Sequence, residues 1–234
     1  MYSDVFCKVY NEFGWNCYPE AFGQHLLQWL TEQHLTVKSC LDLGCGTGIL
    51  CEILHNQGME VWGMDFSEGM IEIARGNNPQ IHYEVADMIQ YRPERTFDLV
   101  TCTGDALNHI LNLSDVERIF RNVYECLNPG GYFVFDILNE KEVSACEPFD
   151  VDFDEGIRAV FQITKDERGV VNLRTKIYEQ DEFRFEEVIT EIIHDPAAVC
   201  EGLRRCGFTL CKLGNQLTDS GDHQSTTWYV IAVK

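Results

Sequence analysis

The chain has little positive charge. Lysine and arginine number 18 against 38 aspartate and glutamate, a formal net charge of −20. A nucleic-acid surface needs basic groups to displace counterions from phosphates, so no nucleic-acid partner is expected. An anionic membrane surface is disfavoured for the same reason. No apolar run reaches the roughly 20 residues of a membrane-spanning helix. The start, Met1-Tyr2-Ser3-Asp4, lacks a basic stretch followed by an apolar core, so no signal peptide is expected and the compartment expected is the cytoplasm. No Cys-x-x-Cys pair occurs, although there are eleven cysteines. Cys40, Cys102, Cys200 and Cys206 sit inside apolar patterns, which predicts buried reduced thiols rather than a disulfide framework or a metal site. Internal repeats and low-complexity linkers are missing too, and 234 residues suffice for one large domain.

What is present centres on Leu41-Asp42-Leu43-Gly44-Cys45-Gly46-Thr47-Gly48. An apolar run leads into three alternate glycines, and a helical pattern of Ile49, Leu50, Ile53 and Leu54 follows, stopped by Gly58. This reads as strand, tight loop and helix, with a nucleotide-like ligand at the strand's carboxyl end. Glycine admits positive φ and lets a ligand approach the backbone, and open amides at the helix start would face that ligand. The dinucleotide fingerprint fails, because Ile49 stands where its third glycine belongs. The phosphate loop ending in Gly-Lys-Ser/Thr is absent.

Acids recur at the ends of later strands. The second strand, Val61–Asp65, ends in Asp65, at the distance beyond the loop where a carboxylate binds a ribose diol. Phe66 follows, where its face can lie against a base. Ser67 is the better cap for the next helix, whose inward residues are Met70, Ile71 and Ala74. A third strand spans Ile81–Met88 and contains Asp87. The fourth, Phe97–Cys102, runs into Thr103-Gly104-Asp105-Ala106-Leu107-Asn108-His109-Ile110, the densest polar set in the chain. Asp98 begins that strand and reads as structural. Ser114 and Glu117 form a capping-box pattern before an apolar face of Val116, Ile119, Phe120, Val123 and Leu127. Asn128-Pro129-Gly130-Gly131 then leads into the apolar strand Tyr132–Ile137, which places Asp136 at the active edge as a substrate-site candidate.

Residues 139–193 alternate instead. Ile157, Ala159, Phe161 and Ile163 make one run, Val171, Leu173, Thr175 and Ile177 a second, and Phe183, Phe185 and Val188 a third. Period two predicts an antiparallel meander, with Arg158, Arg184 and Glu186 free to face either way. The acids Glu140, Glu142, Glu147, Asp150, Asp152, Asp154 and Glu155 form either a solvated loop or an attractor for an amine substrate. Asp195-Pro196 opens a last helix with Val199 and Leu203 inward and Gly207 at its end. Strands Phe208–Lys212 and Thr227–Val233 close the chain, joined by a loop holding Thr218, Asp219, Ser220, Gly221 and Asp222. At the other end, Pro19 opens a helix with Phe22, Leu26, Leu27 and Leu30 on one face, preceded by Tyr2, Phe6, Tyr10, Phe13, Trp15 and Tyr18. This segment is either a helix pair packed on the core or a lid.

Asp-x-Gly-x-Gly-x-Gly, Phe-Asp-Leu-Val with its polar loop, and Leu-x-Pro-Gly-Gly together resemble the class I S-adenosylmethionine (SAM) methyltransferases, over about 39–138 and 194–234. The Cys-Thr-Gly-Asp-Ala-Leu-Asn-His stretch with the insert is similar, more narrowly, to the YqeM-like bacterial group. The resemblance implies an α/β, Rossmann-like seven-stranded sheet, mostly parallel with the last strand antiparallel, and an antiparallel β insert after strand five. Its cofactor-binding core is 39–138 and 194–234, its N-terminal helical lid 1–38, and its substrate lid 139–193. It implies S-adenosylmethionine as cofactor, held by Asp42, Gly44, Cys45, Gly46, Thr47, Gly48, Asp65, Phe66 and Thr103. Asp87 and Met88 form an adenine clamp, and Tyr10 and Tyr18 reach the cofactor from the lid. Asp105 and His109 are the candidate bases, with Asn108, His109 and Asp136 on the substrate. The expected partner is a small-molecule methyl acceptor, with the chain a monomer or homodimer. A non-catalytic SAM-binding protein and a nicotinamide oxidoreductase are the competing readings, the second weakened by the missing glycine.

Overall fold

The computed structural model describes residues 2–12, 14–141, 143–153, 156–214, 216–217 and 227–234. Phe13, Glu142, Asp154, Glu155 and the loop residues Thr218, Asp219, Ser220, Gly221 and Asp222 lie outside the described residues. Two helices, α1 (Asp4–Val9) and α2 (Cys17–Glu32), precede the sheet. The core then alternates: β1 (Ser39–Leu43), α3 (Ile49–Asn56), β2 (Glu60–Asp65), α4 (Glu68–Asn77), β3 (His82–Val85), β4 (Phe97–Cys102), a 3₁₀ turn (Ala106–His109), α5 (Leu113–Cys126) and β5 (Leu127–Leu138). An inserted sheet follows, β6 (Cys146–Asp152), β7 (Ile157–Lys165), β8 (Val170–Glu179) and β9 (Glu182–Ile192). The chain returns through α6 (Pro196–Arg205), β10 (Thr209–Gly214) and β11 (Thr227–Val233).

The main sheet has seven strands in the order β10-β11-β5-β4-β1-β2-β3, with β11 alone antiparallel to its neighbours. The insert is a separate antiparallel meander, β6-β7-β8-β9. Both agree with the expected architecture. β1 is buried at every position and so carries no alternation, as a strand covered on both faces requires. Its neighbours are β2 and β4, and the chain leaves β1 toward β2 and β3 on one side and returns through β4 and β5 on the other. The reversal opens a crevice beyond the carboxyl ends of β1 and β4.

Some boundaries differ from the sequence expectation. α2 begins at Cys17, two residues before Pro19, whose missing N–H costs nothing in a first turn of unpaired donors. The cap of α5 is Asn112, without a side-chain bond, so Ser114 lies inside the helix and the capping box does not form. β5 starts at Leu127, which is a buried strand residue rather than part of the helix face. Ser67 caps α4 as expected, accepting from the Met70 amide at 3.4 Å. In β9 the third run is broken by a register shift between Phe183 and Phe185: Phe183 and Val188 are exposed, whereas Glu187 and Ile189 are buried. Arg158, Arg184 and Glu186 pair outward with Asp150, Glu179 and Arg174. Asp98 is structural, accepting from the Lys38 amide at 2.9 Å and from Asn128 at 2.8 Å.

Candidate active site

The glycine loop is built from the strand beneath it. Gly44 and Cys45 both donate to the Met64 carbonyl, at 2.8 and 2.9 Å, and Gly48 donates to the Cys45 carbonyl at 3.0 Å. The Gly46 amide donates to Asp65 Oδ2 at 2.9 Å, while Asp65 Oδ1 accepts from the Ser67 amide at 2.8 Å. The loop's amides are therefore largely used inside the protein, and the expectation of open amides holds only toward the start of α3, where Ile49 and Leu50 reach the cavity wall. A phosphate would find few free donors here. Gly44 has φ +74°, and a Cβ on it would stand 2.8 Å from the Ala106 side chain. The glycine permits the loops after β1 and β4 to touch across the crevice.

Asp42 lies under this loop, 2 % exposed. It accepts from Thr101 Oγ1 at 2.6 Å and from Cys51 Sγ at 3.5 Å. Burial pushes its carboxyl up to about 7. Burial likewise raises Asp65, against the amide bonds that favour its charged form.

A cavity of about 650 Å³ fills the crevice, within the ~300–1,000 Å³ range usual for small-molecule sites. Of the residues expected from the sequence, Tyr10, Tyr18, Asp42, Gly44, Cys45, Gly46, Thr47, Asp65, Phe66, Asp87, Met88, Thr103, Asp105 and His109 line it. Gly48 does not; a Cβ there would meet the Tyr83 hydroxyl at 2.5 Å, so it serves packing. Phe66 is 54 % exposed, an apolar face free for a flat ligand. Asp87 accepts from the Ile89 amide at 2.9 Å and from Gln90 at 3.0 Å. The donor set fits S-adenosylmethionine: a carboxylate at Asp65 for a diol, an exposed ring and the Asp87–Met88 turn for a base, and no lysine or arginine to repel a sulfonium among the described lining residues.

Two substrate candidates are corrected. Asn108 is fully buried and is not on the wall. Its Nδ2 donates to the Ile192 carbonyl at 2.6 Å and its Oδ1 accepts from the Leu138 amide at 3.1 Å, so it braces β5 and β9 around the turn. Asp136 is also fully buried and off the wall. It accepts from the Gly104 and Asp105 amides at 2.9 and 3.0 Å and from the Tyr18 hydroxyl. It thereby holds the polar loop, including Asp105 at φ +60°. Burial raises the Asp136 carboxyl to about 6, countered by these donors.

Asp105 Oδ1 is buried without a hydrogen-bond partner. Burial raises its carboxyl, and the charges of Asp136 and Glu191 add to the shift. His109 Nε2 faces the Tyr2 hydroxyl at 3.2 Å and Glu191 Oε1 at 3.6 Å, and burial lowers its basicity. Glu191 is pushed up to about 7, first by burial and then by Asp136. Sequence reasoning missed Tyr2, Trp15, Glu187 and Glu191. Glu187 and Glu191 share the parity of Phe185 and Ile189 in β9, so carrying the alternation on from Phe185 would have pointed to the acids.

Residues 40–131 match the methyltransferase-domain family. A Geobacillus sp. (strain WCH70) methyltransferase is 34 % identical over 56 % of this chain, which spans about half (53 %) of that relative's length. The methyltransferase YqeM of Bacillus subtilis (strain 168) is 29 % identical over 92 % of this chain and 90 % of its own. The SAM-bound structure of CalS10, an amino pentose methyltransferase from Micromonospora echinaspora, superposes with a TM-score of 0.76 at 20 % identity, covering 100 % of this chain and 98 % of that one. The glycine loop over β1, the sheet with its single reversed strand and these likenesses, one of them running nearly end to end, lead to one assignment: residues 40–131 are a methyltransferase domain, on the fold of the S-adenosylmethionine-dependent methyltransferases.

Proposed function

We infer that this chain transfers the methyl group of S-adenosylmethionine to a nitrogen or oxygen of a small-molecule acceptor. The observation that carries this is the polar turn after β4, which brings Asp105 and His109 to the wall of the same cavity as Asp65, Phe66, Asp87 and Met88. Names of similar proteins support a small acceptor, an amino pentose for CalS10 and an amino sugar for an N,N-dimethyltransferase of Saccharopolyspora spinosa.

S-adenosylmethionine supplies a methyl group already activated on sulfur, so the chain's task is positioning and exclusion of water. Asp65 binds the ribose hydroxyls, Asp87 and the Met88 amide hold the adenine, and Thr103 and Tyr10 line the reacting end. Segment 1–38 acts as a lid and the insert 139–193 as a second wall. Their closure is supported by Ser3, whose hydroxyl and amide donate to Glu187 of β9 at 2.6 and 3.2 Å, and by Thr47, whose hydroxyl donates to Asn11 at 3.0 Å. His109 accepts the acceptor's proton.

The test is labelled S-adenosylmethionine with a panel of small amines and hydroxy compounds, scored for labelled product. Binding of S-adenosylhomocysteine with no turnover across the panel would instead support a non-catalytic SAM-binding protein. Stabilisation by NAD alone would overturn both.

A further inference from the structure

The cavity wall carries five carboxylates, Asp42, Asp65, Asp87, Asp105 and Glu187, and no lysine or arginine among the described residues. Four of the five have donors inside the protein. Asp42 has Thr101 and Cys51, Asp65 has the amides of Gly46 and Ser67, Asp87 has Ile89 and Gln90, and Glu187 has Ser3. Asp105 differs, since its buried Oδ1 has none. A buried carboxylate oxygen left unpaired is costly, so such a group is held neutral or receives a cation from a ligand. The backbone that carries it is held in place, because Asp136 accepts from the Gly104 and Asp105 amides.

Aromatic rings close the same region. Tyr2 and Tyr10 have centroids 6.2 Å apart, Tyr10 and Trp15 5.1 Å, and all three line the cavity. Both phenols lie in the field of Asp105 and Glu191. Aromatic faces attract a cation, and a wall of rings in a cavity that also carries a carboxylate suits an alkylammonium far better than a neutral hydroxyl.

We propose that the acceptor is an amine, docked as its ammonium ion between the Asp105 carboxylate and the rings of Tyr2, Tyr10 and Trp15. The proposal rests on the methyltransferase reading above and narrows it to nitrogen. One ammonium proton passes to His109 Nε2. The freed nitrogen lone pair forms the new nitrogen–carbon bond while the pair of the broken carbon–sulfur bond stays on sulfur. The proton leaves His109 through Glu191, its neighbour at 3.6 Å, to solvent.

The experiment titrates protein saturated with S-adenosylhomocysteine with tert-butylammonium chloride and with tert-butanol, a neutral analogue of similar shape, at one ionic strength. Isothermal titration is expected to show the ammonium bound at least about tenfold more tightly. In Asp105→Asn, and separately in Trp15→Leu, that preference falls to about threefold or less while affinity for S-adenosylhomocysteine stays within about twofold. Equal binding of the two probes by the wild-type protein overturns the proposal. So does an Asp105→Asn protein that keeps the preference but loses about tenfold in S-adenosylhomocysteine affinity, since Asp105 would then serve the cofactor. Failure of the wild-type protein to bind S-adenosylhomocysteine appears before any probe is added and overturns the methyltransferase reading itself.

Discussion

Tyr18 of α2 donates its hydroxyl to the carboxylate of Asp136 at the end of β5, 118 residues away in sequence. The same carboxylate accepts from the amides of Gly104 and Asp105, so one buried group ties α2, β5 and the loop after β4. Tyr18→Phe removes a bond to a charged acceptor and is expected to cost about 1.5–3 kcal/mol in chemical denaturation. Asp136→Asn turns one end of the carboxylate into a donor facing donors. It is expected to cost more stability than Tyr18→Phe and to lower kcat more than it raises KM, because it acts on the loop and not on the substrate. A purely structural role would reduce stability with kcat per folded molecule unchanged.

Asp65 is the ribose carboxylate of the proposed site. Loss of two bonds to a charged acceptor predicts that Asp65→Ala weakens S-adenosylhomocysteine binding by at least about tenfold, read by isothermal titration. The Ser67 cap remains in that variant, so α4 should persist by circular dichroism. Unchanged affinity would remove Asp65 from the site.

Two glycines of one loop should respond differently to alanine. At Gly44 the backbone is left-handed and a Cβ would collide with Ala106 at 2.8 Å, so Gly44→Ala forces the β1 and β4 loops apart. At Gly46, φ is +53° but nothing stands within 4 Å of the added carbon. Gly46→Ala should cost only the left-handed strain of about 1–2 kcal/mol, and Gly44→Ala about 1–3 kcal/mol more from overpacking. Thermal melts of the two variants, compared with S-adenosylhomocysteine affinity, check this; equal costs would contradict the contact.

The buried acids set a pH dependence opposite in sign to that of salt-bridged carboxylates. Asp42, Asp136 and Glu191 have folded-state carboxyls near 7, 6 and 7, above the unfolded value of about 4. Between those values the folded protein holds more protons than the unfolded chain, so their contribution is full below pH ~4 and is lost as pH rises through about 6–7. The ligand-free protein should therefore melt at lower temperature at pH 8 than at pH 5.5. Asp42→Asn, which keeps an acceptor for Thr101, should flatten that slope. A slope of the opposite sign would show that these acids are ionised in the fold.

Much of the site could be read from the residues. Asp65 and the glycine loop end strands with apolar runs, and Asp87 stands two residues beyond β3, so their place at one sheet edge follows from chain order and parallel pairing. Asp136 ends such a strand too, but the alternation of side chains aims it beneath the Gly104–Asp105 loop and not into the cavity. Asn108 looked like a ligand because it is polar and near the edge, whereas its amide bridges Ile192 and Leu138, a pairing between distant segments that no local pattern encodes. Glu187 and Glu191 were hidden because the alternation in β9 is interrupted: a register shift beside Phe183 turns that ring outward and Val188 is exposed, so the apolar residues did not mark the face that Phe185, Glu187, Ile189 and Glu191 share.

Periodicity, glycine placement and acids at strand ends are local properties, and from the sequence alone they determined the sheet, the insert and the place of the Asp42–Gly48 loop at the crevice. The tertiary structure alone decided the proposed reacting end, because there the groups come from four separate stretches: Tyr2, Tyr10 and Trp15 from the N-terminus, Asp105 and His109 after β4, Asp136 in β5, and Glu187 and Glu191 in β9. Their mutual burial, which raises the acids and leaves one Asp105 oxygen without a donor, exists only once those stretches are packed against one another.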